Sequence, residues 1–76
     1  MRYAQVGPRL REFRHLRNMT QTEMAEALGV GFSTVAWTET GRVQKPRKLV
    51  QRFIEVYGVN LMESNFDPEQ IPVGGI

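Results

Sequence analysis

Apolar residues in this chain cluster at helical spacing, and each cluster is bounded by a residue that starts or stops a helix. Val6, Leu10, Phe13 and Leu16 share one helical face, and Gly7-Pro8 offers a start with proline at the first helical position, so a first helix is predicted over 8–17. Thr20-Gln21-Thr22-Glu23 has the form of a capping box, in which the Thr hydroxyl accepts a backbone N–H three residues on and the Glu carboxylate reaches back. A second helix over 21–28 follows, with Met24, Ala25 and Leu28 as its apolar face. Gly29-Val30-Gly31 ends it with a sharp turn. Gly31 can cap a third helix over 32–40, which Gly41 terminates. Pro46 opens a fourth helix that Gly58 closes, and Leu49, Val50, Phe53, Ile54, Val56 and Tyr57 cover an arc of roughly 160° on it, wide enough for a core and a partner. A short fifth helix is predicted over 59–66. Residues 67–76, with two Pro and two Gly, read as a flexible tail.

Size narrows the picture to one small domain: 76 residues and 8.7 kDa bury only about 60% of the unfolded chain's surface. With no Cys, neither disulfides nor thiolate-bound zinc can add stability, which fits a reducing cytoplasm. No apolar stretch is long enough to span a bilayer and Met1-Arg2-Tyr3-Ala4-Gln5 lacks the apolar region of a signal peptide, so membrane and secreted readings fall away. The net charge is only +2, yet it is segregated: +4 over 1–20, −3 over 21–40, +5 over 41–52 and −4 over 53–76. Eight of the ten cations are Arg, whose planar fork suits phosphates and base edges. Enzyme chemistry has little to work with, since His15 is the only imidazole, faces outward and lacks a Cys or Asp beside it. No metal or cofactor is expected for the same reason.

Two short helices joined by a tight glycine turn form the organisation of a helix-turn-helix. Arg9-Leu10-Arg11-Glu12-Phe13-Arg14, then 20–30 from Thr20 to Val30, then Val35, Glu39, Gly41 and Pro46 resemble the Cro/C1-type (XRE-like) family of phage repressors, over about residues 6–62. The resemblance implies an all-α, compact four- to five-helix lambda-repressor-like domain over 1–66, followed by the tail. It also implies a DNA-binding transcriptional regulator, most often a repressor acting as a homodimer on double-stranded DNA, with antitoxins and other phage-type regulators among the alternatives.

By the same resemblance, Gln21 bonds a phosphate and supports base contacts, and the third helix is the recognition helix. Its own periodicity places Ser33, Ala36, Trp37 and Thr40 on one outward arc, with Val35 and Thr38 opposite. Phe32 and Trp37 depart from the polar readers of the family. Either can meet a thymine methyl or fill the groove, Trp37 can instead fold over the core, and both can serve a protein partner. Arg14 and Glu39 match an ion pair linking the first helix to the end of the third. Arg42, Lys45, Arg47 and Lys48 suit phosphates, with the position of Arg47 directed toward the minor groove. Arg9, Arg11 and Arg17 read as surface charge. Leu61, Met62, Phe66 and the flank of the fourth helix form the expected dimer contact, and the tail ending Ile71-Pro72-Val73-Gly74-Gly75-Ile76 is a second candidate for a protein partner.

Overall fold

Four helices account for the regular structure of residues 3–69, the part described by the computed structural model: α1 Val6–Leu16, α2 Gln21–Leu28, α3 Phe32–Glu39 and α4 Arg47–Tyr57. No strand occurs among the described residues. The α1 helix starts two residues before the predicted position, so Pro8 is its third residue. This is tolerated because the N–H groups of a first turn have no intrahelical acceptor to lose. The capping box of α2 is formed in both directions: Glu23 N–H donates to Thr20 Oγ1 at 3.1 Å and Thr20 N–H donates to Glu23 Oε1 at 2.8 Å. Gly29 then turns the chain at φ 69°, which lets the Val30 N–H reach the Ala25 carbonyl and close the helix end. Asn18 performs the same reversal after α1 at φ 55°.

One core serves all four helices. Val6, Leu10 and Phe13 of α1, Met24, Ala25 and Leu28 of α2, Val35 of α3 and Leu49, Val50 and Phe53 of α4 are buried in it together with Leu61. Phe13, Phe53 and Tyr57 meet with ring centroids 4.7–4.9 Å apart, an arrangement of aromatic edges and faces that locks α4 onto α1. Leu16 is exposed, contrary to its place in the apolar pattern. At 100° per residue it drifts to the edge of the face centred on Leu10 and Phe13, and Arg17 occupies the centre instead, its guanidinium 3.7 Å from the Phe13 ring. Gly7 marks the closest approach of α1 to α3, because a Cβ there would collide with the Thr38 carbonyl oxygen.

The predicted fifth helix does not form. Residues 59–66 make separate turns, with the Asn60 side chain accepting the Met62 N–H at 2.9 Å. The carbonyls of Leu61 and Glu63 both accept from Arg9 Nη1, each at 2.6 Å. A guanidinium from α1 and an Asn side chain thus take the backbone partners that a helix would have used. Arg9 and Arg17 are consequently structural rather than free surface charge: Arg17 Nη1 donates to the Pro68 carbonyl at 3.2 Å, and Pro68 is buried. The remainder of the expected tail, 70–76, including the segment from Ile71, lies outside the described residues.

Candidate nucleic-acid interface

The placement of α3 is fixed by its inner face. Val35 and Thr38 are buried, and the Thr38 hydroxyl donates to the Thr34 carbonyl at 2.6 Å, so this polar residue enters the core without an unmet donor. At the end of α3, the Glu39 carboxylate, 3% exposed, accepts Arg14 Nε on Oε2 at 2.7 Å and Arg14 Nη2 on Oε1 at 2.8 Å. These parallel bonds are the bidentate fork that guanidinium geometry favours. Gln21 Nε2 also donates to Oε1, at 3.2 Å, and Arg14 Nη1 donates to the Met19 carbonyl at 2.9 Å. The last residue of α3, the first residue of α2 and the chain leaving α1 therefore meet at one carboxylate. The hydrogen bonds to Glu39 raise the already high pKa of Arg14, against the opposing effect of its burial.

The outer face of α3 carries Phe32, Ser33, Ala36, Trp37 and Thr40. Phe32 and Trp37 are 53% and 47% exposed, so neither ring closes over the core. The Trp37 ring instead neighbours Arg42, whose Cζ lies 5.6 Å from the ring centroid. Ser33 is exposed. Thr40 is exposed as well, but its hydroxyl turns back onto the helix, lying 3.0 Å from the Ala36 carbonyl and 3.3 Å from that of Trp37.

Beyond Thr40 the chain reverses at Gly41 and runs through an exposed, basic segment to α4. Arg42, Lys45, Arg47 and Lys48 are all exposed, and none pairs with a carboxylate among the described residues. No acidic residue occurs from Thr40 to Ile54, and Glu39 is neutralised by Arg14, so the positive potential along this edge is not cancelled locally. Pro46 is buried and precedes the first turn of α4, holding Arg47 and Lys48 at the helix start.

The family described as helix-turn-helix domain matches residues 5–64 of this chain. The chain belongs to the helix-turn-helix family, of the XRE-like kind. Within this helix-turn-helix domain, α2 and α3 are the paired helices and 29–31 the turn between them. The HTH-type transcriptional regulator PuuR of Escherichia coli (strain K12) is 31% identical over 64 residues, covering 84% of this chain and 35% of PuuR. PuuR of Shigella flexneri matches to the same extent. The helix-turn-helix chain thus spans about a third of the length of these regulators. An uncharacterized HTH-type transcriptional regulator of Archaeoglobus fulgidus is 33% identical over 64 residues, covering 83% of this chain and 90% of that protein. No solved structure matches the chain significantly.

One further residue of the domain, Arg52, acts on its helix-turn-helix unit without any sequence signal. Arg52 Nε of α4 donates to the Leu28 carbonyl at 2.8 Å, capping the end of α2 just before the turn, while its Nη1 pairs with Glu55 at 2.6 Å. Leu61, expected at a dimer contact, is fully buried in the subunit's own core, and Met62 and Phe66 pack against that core half-buried. The apolar side chains that α4 leaves exposed are Ile54 and Val56. Among the described residues, no helix is long and apolar enough to cross a membrane, and no group of acidic, His or Cys side chains is placed to hold a metal ion.

Proposed function

We propose that this chain is a sequence-specific DNA-binding transcriptional regulator, acting as a repressor, whose homodimer places two copies of α3 in successive major grooves of a two-fold operator. The observation that carries the reading is the junction of an anchored α3 with an uncancelled basic edge: Glu39 fixes the helix from inside while Arg42, Lys45, Arg47 and Lys48 flank its outer face. Relatives named as transcriptional regulators support the same assignment. In this reading the cations, with Gln21 at the start of α2, hold phosphates and set the register on the duplex. The exposed arc from Phe32 to Thr40 meets the bases. Ile54 and Val56 of α4, with the uncovered parts of Met62 and Phe66, supply the dimer contact, since Leu61 has no surface left to offer.

Titration of labelled duplex by fluorescence anisotropy at several salt concentrations tests this directly. A dimer that neutralises about six to ten phosphates gives a slope of log K against log salt of roughly −5 to −9. Arg47→Ala and Lys45→Ala weaken binding to all sequences alike, whereas Ser33→Ala changes the preferred sequence. A slope near zero, or equal behaviour of the two classes of variant, would refute the proposal.

A further inference from the structure

The outer arc of α3 is almost without hydrogen-bonding groups, and this points to what it reads. Phe32, Ala36, Thr40, Ser33 and Trp37 follow one another across roughly 140° of the helix surface, and none of them is an amide, a guanidinium or a carboxylate. Thr40, a polar reader by residue type, has its hydroxyl turned onto the Ala36 and Trp37 carbonyls. Ser33 is left as the one hydroxyl on the arc that makes no hydrogen bond among the described residues. Such an arc cannot form the paired bonds by which Arg selects guanine or Asn and Gln select adenine. The one feature of the major groove that an apolar surface can recognise is the C5 methyl group of thymine.

Resting on the DNA reading above, we propose that this chain reads thymine through its methyl groups, with Trp37, Phe32 and Ala36 as the specificity-determining side chains. Charge decides in favour of DNA over an apolar protein surface as the occupant. The Trp37 ring stands beside the Arg42 guanidinium, and Arg42, Lys45, Arg47 and Lys48 are four exposed cations that pair with no carboxylate among the described residues. A polyanion satisfies these cations as the rings are covered, whereas an apolar partner would bury them unmatched.

The test begins with the full chain and a duplex selected from a random pool. Thymines of the selected duplex are replaced one at a time by deoxyuridine, which removes the methyl and keeps every hydrogen-bonding group. Affinity is expected to fall about fourfold for each contacted methyl removed, the factor matching one buried methylene. The loss is expected to vanish in Trp37→Ala at the position Trp37 contacts, with thermal melting of that variant unchanged because the ring lies outside the core. Selection of sites whose fixed positions are guanine–cytosine pairs overturns the proposal, as does indifference to deoxyuridine. So does a deoxyuridine effect that persists at every position in Trp37→Ala or arises equally outside the protected positions, since that reports duplex shape. In each of these cases a steep salt dependence leaves the DNA reading standing. Absence of salt-dependent binding to any duplex overturns both and assigns the aromatic arc to a protein partner.

Discussion

Replacing Glu39 by Ala removes the carboxylate on which three helix ends converge, and its cost can be worked from the contacts it makes. Both parallel bonds from Arg14 are lost, as is the bond from Gln21, leaving the Arg14 guanidinium with the Met19 carbonyl. Breaking a buried pair by removing one partner costs about 3–5 kcal/mol. The Arg14 side chain is 10% exposed and can pivot part of its charge toward water, which places the cost at the lower end, about 3 kcal/mol. A chain of this length holds about 4–11 kcal/mol in total. At about 4–8 °C per kcal/mol, the melting temperature of Glu39→Ala falls by about 12–24 °C, read by circular dichroism without DNA. The double variant Arg14→Leu/Glu39→Leu recovers most of the loss, because no unmatched charge remains inside. A melting temperature for Glu39→Ala within about 2 °C of the parent, or a double variant no more stable than the single one, would refute the reasoning.

Gly7→Ala tests the contact between α1 and α3 by its sign. Helix propensity alone raises stability by about 1 kcal/mol, but collision of the new methyl with the Thr38 carbonyl costs about 1–3 kcal/mol, so the variant melts lower, and a higher melting temperature would show that α1 can move aside. Tyr57 is held above the usual tyrosine pKa by burial, with the charge of Arg17 acting weakly in the opposite direction. The unfolded phenol therefore loses its proton first, and stability declines as pH rises past about 10. Urea unfolding at about pH 8 and about pH 11 checks this: Tyr57→Phe shows a smaller alkaline loss than the parent, and an equal loss would be the contrary result.

The helices were legible because their signals are local. The Thr20–Glu23 box, the Gly29 stop and the period of the apolar residues lie within a turn or two of the structure they specify. The outward arc of α3 followed from that period too. What escaped depends on groups distant in the chain. Nothing around 59–66 foretells that Arg9, more than fifty residues away, takes its carbonyls, and nothing near Gly29 announces Arg52. Leu61 was legible as apolar but not as core rather than interface, since only the folded chain shows which surface covers it. At the site, the type of residue at Thr40 was legible and the direction of its hydroxyl was not, because a threonine near a helix end can bond either outward or back onto the turn.

Seven of the eight residues of α3 divide into two sets that share no member. Val35, Thr38 and Glu39 hold the helix to the body, while Phe32, Ser33, Ala36 and Trp37 look away from it. On the DNA reading proposed above, substitution in the second set leaves the contacts of the first in place, so a lineage carrying this scaffold can change its target by single steps without losing the anchor of the helix. On the same reading, the separation suits engineering: libraries at the exposed positions 32, 33 and 37 sample new specificities on a constant frame.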